Sequence, residues 1–315
     1  MIKRIRGNIT LLITALIWGT AFVAQSEGMN YVAPFTYNAM RTLLGGLVLI
    51  PVILIFRKTG ISRNAAEKAP LRTTVTGGIL CGIVLCIASS FQQSGITMTT
   101  AGKAGFITAL YIVIVPVIVF ILYRRSNPAV WLSVLIAAVG FWLLCIKEGF
   151  HVGKGDWLVL CCAFFFAMHI MVIDHFNAKH ADPILMSCIQ FFTAGTIMAI
   201  CMFLFEEPQI SGILGAKYTI LYAGIMSSGV AYTLQILGQR DTEPATATLL
   251  MSLESVFAAL SGWVILHEAL TPKELLGCVL VFAAVILAQL KAPSGEQPEN
   301  NQKCLKMEEN NEKTS

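Results

Sequence analysis

The stretch Pro244–His267, PATATLLMSLESVFAALSGWVILH, decides how the rest of the chain is read. It is long enough to cross a bilayer's hydrocarbon core, which takes about 20 apolar residues as a helix. Pro244 opens it, where a missing N–H does no harm. Ala245, Ala247, Ala258, Ala259, Ser261 and Gly262 permit close backbone approach. Near its middle sits Glu254, with no charged neighbour in sequence. A carboxylate at that depth costs roughly 2.5–3.5 kcal/mol on insertion, so it is expected to face a bundle interior or a wet cavity. Two roles stay open for Glu254: a buried acid satisfied by a local donor, or a functional group on a transport path.

Composition carries the membrane reading to the whole chain. The 315 residues are 56% hydrophobic and 13% charged, with a mean hydropathy of +0.72. Soluble domains carry about 25% charged residues, so an all-α polytopic membrane protein is expected. Apolar runs of near-spanning length fall at roughly 8–26, 34–56, 72–92, 101–123 and 129–146. Five more follow at roughly 156–174, 183–205, 217–237, 244–267 and 273–290. About ten helices result, in two five-helix halves, 7–147 and 154–290, with Lys147–Gly155 as the seam. The start, MIKRIRGNITLLITALIWGTAFV, has too long an apolar run for a signal peptide and reads as the first transmembrane helix. The polar, Pro/Glu/Asn-rich end, 291–315, reads as a disordered cytoplasmic tail. The nine Cys form no CxxC pair and no Cys/His ligand spacing, which fits small packing residues.

Lys and Arg set the orientation. With the N-terminus inside, Lys3, Arg4, Arg6, the Arg57–Arg72 loop, Arg124 and Arg125 all fall on the cytoplasmic side. The outer side keeps only Lys103, Lys147, Lys154, Lys217 and Lys273. Both termini are therefore expected in the cytoplasm, with the chain in the cell membrane. An odd number of helices per half makes the halves enter from opposite sides, so homologous halves form an inverted repeat. GNITLLITALIWGTAF aligns with GDWLVLCCAFFFAMHI, and Tyr31–Tyr37 with His180–Met186. GFITALYIVIVPV aligns with PATATLLMSLESV, which places Pro116 on Ser255.

Few polar groups lie within the spans. There is no HExxH, GxSxG, P-loop or paired acidic motif. Catalysis, a metal and any other cofactor are accordingly not expected, and nucleic acid is not an expected partner. Besides Glu254, the candidates for a substrate or coupling-ion path are Arg41, Lys103, Trp18, Tyr111 and His169. Arg41 lies about two turns inside the second helix, where it either snorkels or meets a ligand carboxylate. Its repeat partner is Gln190. Lys103, at the outer mouth of the fourth helix, is either a solvated interfacial Lys or a second positive charge for that carboxylate. His169 is mid-helix, a packing residue or a proton carrier. Tyr37, Tyr222, Tyr232 and Trp263 join Trp18 and Tyr111 as aromatic residues that line a path or form an interface belt. Gly78-x-x-x-Gly82 and Gly224-x-x-x-Ser228 have the spacing for tight helix crossings.

LIWGTAF after a basic N-terminus, AGKAGFITALYIVIVPV, and LLMSLESVFAALSGWVILHEALTPKELLGCVLVFAAVIL together resemble the EamA-like members of the drug/metabolite transporter superfamily. The resemblance covers about residues 7–290. It implies a ten-helix inverted repeat with a central cavity and alternating access, usually exporting small metabolites such as amino acids. Family segments often read Leu-Glu-Pro-Val in the ninth helix; here Ser255 stands where that Pro would be. The expectation is a secondary transporter, an exporter, for which protons are a candidate coupling ion and a homodimer a candidate assembly. The alternative is a non-transporting assembly or sensor subunit of the membrane.

Overall fold

A computed structural model describes residues 2–58, 70–99, 101–123, 128–145, 153–265 and 271–290. The basic loop 59–69, Arg124–Arg125, Lys147, His267–Glu268 and the tail 291–315 lie outside the described residues. The first three spans are α1 (Ile2–Gly28), α2 (Pro34–Lys58) and α3 (Leu71–Ile96). The fourth is broken into α4 (Ala101–Ala109) and α5 (Tyr111–Tyr123), and the fifth is α6 (Pro128–Cys145). The second half opens with α7 (Lys154–Ala178) and α8 (Pro183–Phe205). Its third span joins α9 (Ile210–Gly215), α10 (Lys217–Tyr222), a π-helical segment (Ala223–Tyr232) and α11 (Thr233–Arg240). The ninth span is again broken, into α12 (Pro244–Met251) and α13 (Leu253–Ile265), and α14 (Pro272–Leu290) is the tenth. Among the described residues, eight spans are long and apolar enough to cross a membrane, and shorter apolar stretches, Val130–Gly140 and Leu275–Leu287, fill the fifth and tenth places.

The principal packing contacts come in pairs that exchange the two halves. The third span packs on the sixth, and the first on the eighth. The third meets the seventh as the second meets the eighth, and the fourth meets the sixth as the first meets the ninth. The second and seventh pack together, as do the fifth and tenth. This is the inverted repeat of two five-helix halves.

Small residues set these crossings, because lipid supplies no hydrophobic drive between helices and close packing must. A Cβ on Gly155 would lie 3.0 Å from the Gly95 carbonyl oxygen, and one on Gly7 would come equally close to that of Gly238, at 3.0 Å. The two contacts sit at opposite ends of the bundle, and each carries a threonine. Thr99 donates to Asp156 Oδ1 at 2.8 Å, and Thr242 donates to Asn8 Oδ1 at 3.4 Å. The Gly7 end adds an ion pair, Arg6 to Asp241 at 2.7 Å. The glycine motifs behave alike: Gly82 presses on the Gln190 carbonyl and Gly224 on that of Arg41.

Both broken spans yield near their middles, for different reasons. In the fourth, Pro116 has no N–H for the Ile112 carbonyl, and Leu110 and Val113 bond three residues back, to Ile107 and Leu110. The ninth has no proline at this place, yet it breaks at Ser252. There Thr248, Ser252 and Ser255 donate their hydroxyls to the carbonyls of Ala245, Leu249 and Ser252, a back-bonding that bends helices. The helix starts at Ala101 and Pro244 correct the sequence register by about one turn. In the corrected register Tyr111, and not Pro116, falls beside the position of Glu254 and Ser255, with Tyr111 matched to Glu254 itself.

Candidate functional site

The central cavity is walled by the first, second, third, fourth, sixth, eighth and ninth spans. Ten of its residues form five pairs related by exchange of the halves: Trp18 with Phe166, Phe22 with Ile170, Gln92 with Gln235, Thr108 with Met251, and Tyr111 with Glu254. Gln25, Arg41, Ser227 and Tyr232 complete the wall. About 460 Å³ of space not filled by protein atoms, open solvent included, lies between them.

Glu254 and Tyr111 meet across the repeat. The phenol donates to Glu254 Oε1 at 2.9 Å, and Glu254 is only 4% exposed. Each residue lies just beyond the break in its span, Tyr111 after Leu110 and Glu254 after Ser252. Gly19 of α1 packs against the Glu254 carbonyl, where a Cβ would come within 2.7 Å. The residue is thus fixed from behind by backbone and from the side by a phenol, with the cavity in front.

Arg41 enters the same cavity from α2. It lies seven residues from Pro34, about 10 Å along the helix, and is 3% exposed. Its Nε donates to Asn38 Oδ1 at 2.9 Å, and Asn38 Nδ2 donates to the Ser89 carbonyl at 3.0 Å. No other acceptor reaches its guanidinium among the described residues, and no ion pair joins it to Glu254. A snorkelling Arg would carry its head to the interface; this one is tied down one turn along its own helix and faces inward.

The repeat partner of Arg41 is turned to other work. Gln190 Oε1 lies 3.0 Å from His169 Nε2, within hydrogen-bond reach, and Gln190 Nε2 donates to Ser187 Oγ at 3.5 Å. His169 is fully buried, lies outside the cavity lining, and has its ring 6.0 Å from that of Tyr232. It supports the wall rather than forming it. Trp18 stacks edge-on against Tyr232 at 4.7 Å, with its indole Nε1 buried and unpartnered. Of the other aromatic candidates, Tyr37 bonds to the carbonyls of Ala24 and Thr219, and Tyr222 bonds to Thr20. Trp263 is 52% exposed on the outside of the bundle. Lys103 lies in α4, and its side chain lies outside those described.

Gln92 and Gln235 are cavity residues that sequence reasoning missed. A signal was present: each stands three residues before a crossing glycine, Gln92 before Gly95 and Gln235 before Gly238. They differ in state. Gln92 donates to Thr108 Oγ1 at 3.3 Å, whereas Gln235 Oε1 is buried without a partner, as is Gln25 Oε1.

The family model described as "EamA-like transporter family" matches twice, over residues 5–146 and 153–290. An uncharacterized transporter of Archaeoglobus fulgidus is 31% identical over 291 residues, 92% of this chain and 88% of its own length. The uncharacterized transporter YoaV of Bacillus subtilis is 22% identical, covering 91% of this chain and 97% of itself. A solved crystal structure superposes with a TM-score of 0.72 at 19% identity, over 90% of this chain and 96% of that one; it bears on the fold alone.

Proposed function

The chain belongs to the EamA-like transporter family and is a membrane transporter, and from that premise we propose that it exports small organic metabolites bearing a carboxylate, amino acids among them. The observation that carries this reading is Arg41: a buried guanidinium on the cavity wall with no protein anion paired to it among the described residues. A desolvated, unpaired charge is costly, and its planar fork matches a carboxylate bidentately. Glu254, held by Tyr111, supplies the opposite charge for an amino group or a coupling proton. Trp18, Phe22, Phe166 and Ile170 offer apolar surface to the rest of the substrate. Secondary active transport then follows from the two halves rocking about this site, with the N-terminus in the cytoplasm.

Flux of an amino acid and of its amide through proteoliposomes tests the site. Arg41→Lys keeps the charge and loses the fork, so flux of the acid should fall and that of the amide should not. Equal losses for both compounds would withdraw the carboxylate role, and no flux of either in the wild type would favour a non-transporting subunit. For orientation, a cysteine at Gly153 should react with an impermeant thiol reagent in intact cells and one at Arg240 should not. Reversed labelling would place the N-terminus outside.

A further inference from the structure

A row of polar side chains leaves the cavity between α7 and α11. Gln235 stands on the cavity wall. One turn further along α11, Gln239 Nε2 donates to the Ile170 carbonyl at 3.5 Å, and Asn177 Nδ2 donates back from α7 to the Ile236 carbonyl at 2.9 Å. These donors tie the helices together and leave three oxygens, Gln235 Oε1, Gln239 Oε1 and Asn177 Oδ1, buried without a partner. All three residues are more than nine-tenths buried. Asp174 follows on the face of α7 that carries Ile170 and Asn177, by helical spacing. It is half-buried, one turn from the end of α7, and Glu243, exposed at the start of α12, is its electrostatic neighbour. The matching positions of the first half are Ser26, Met29 and Ile96 in place of Asp174, Asn177 and Gln239. The other end of the bundle carries a different set: Gln93 Nε2 donates to the Gln25 carbonyl at 3.4 Å, and Gln25 Oε1 and Gln93 Oε1 are buried without a partner, with no acid matching Asp174.

Successive unpaired acceptors in a buried strip suit a file of water, whose molecules need two to four polar partners each. With an acid at its mouth and another at its end, such a file conducts protons. We propose that Asp174, Asn177, Gln239 and Gln235 form a proton pathway from the N-terminal face of the bundle to Glu254. A proton from bulk water binds the Asp174 carboxylate, passes along the file, and leaves Asp174 anionic as it reaches the Glu254 carboxylate; no other bond changes. The inference rests on Glu254 being the coupling group.

Each acid keeps specific company. Asp174 has Glu243 at the start of α12 as its electrostatic neighbour and His175 beside it in sequence. Arg240 and Asp241 close α11 at the same end, the latter paired with Arg6. Glu254 has Tyr111 of α5, Tyr232 of the π segment, Cys162 of α7 and Arg41 across the cavity, while α1 offers it Trp18, which does not titrate. The α4 segment carries Lys103 at its far end.

Proteoliposomes holding the full chain test the pathway, with an amino acid as probe. In the wild type, a pH gradient should drive accumulation. Asp174→Asn should cut that accumulation about tenfold, while substrate counterflow without a gradient stays within about twofold, a separation of drive from exchange. Asp174→Glu should restore the drive. Counterflow lost together with the drive in Asp174→Asn, or a Glu variant as inactive as Asn, would make Asp174 structural and overturn the proposal. So would gradient-driven uptake that survives Asp174→Asn. Wild-type flux indifferent to the gradient would overturn the pathway while leaving the Arg41 reading intact, since that is judged by acid against amide.

Discussion

The two halves share a scaffold and divide the chemistry. Five pairs of cavity residues occupy matching places, and matching threonines bond across matching glycine contacts. Charge breaks the match. The first half brings Arg41 to the cavity while its partner Gln190 turns away to His169, and the second brings Glu254 opposite the neutral Tyr111. A symmetric pore would treat both ends of a substrate alike. In the proposed cycle a carboxylate has one place to go, so the repeat supplies the motion and its divergence supplies the orientation of the cargo.

The sharpest break of this comparison is at its charged position and the neutral one that matches it. Arg41→Gln should lower flux of a carboxylated substrate about 100-fold, the effect of losing about 3 kcal/mol from a buried charge contact. Gln190→Leu, at the matching place, should leave flux nearly unchanged and lower the melting temperature, since it strands the His169 ring nitrogen. Similar flux losses for both variants would mean that the halves contribute alike.

The scaffold should respond symmetrically where the chemistry does not. Gly7→Ala and Gly155→Ala each force a Cβ onto a facing carbonyl, an overpacking worth about 1–3 kcal/mol. The temperature of thermal unfolding in detergent should fall by similar amounts for the two. A large loss at one end only would show that one crossing dominates stability.

Tyr111→Phe removes the donor that holds Glu254 and keeps the ring. Flux should fall about tenfold, in line with about 1–3 kcal/mol for leaving a buried acceptor unpaired. Unchanged flux would show that the cavity side of Glu254 alone sets its behaviour. The smallest effect is expected at the threonines. Thr99→Val and Thr242→Val each remove one hydroxyl bond, worth about 0.5–1.5 kcal/mol, and the shorter Thr99 bond should cost more stability than the Thr242 bond.

Sequence and structure part at the ninth span. Aligning GFITALYIVIVPV with PATATLLMSLESV, which matches Pro116 to Ser255, gives a register off by one turn from that of the paired helices. A one-turn slip leaves the same face buried and so changes nothing that periodicity can detect. The break at Ser252 is equally hidden, because three hydroxyls achieve what a proline does elsewhere. Glu254 and Arg41 are legible because charge inside a span is rare, and Trp18 and Tyr111 because aromatic residues are few enough to consider singly. His169 is legible too, but whether it faces the cavity or backs the wall depends on a rotation of α7 that no local pattern reports.

The sequence by itself determined the membrane class, the ten spans, the opposed halves and the isolated intramembrane charges, because apolar length and charge content are properties of each segment alone. Only the tertiary structure decided which of those charges share a cavity, that Tyr111 meets Glu254, and that Gln92 and Gln235 stand on the wall. Those facts depend on helix rotation and register between segments far apart in the chain, which close packing at small residues fixes and composition does not record.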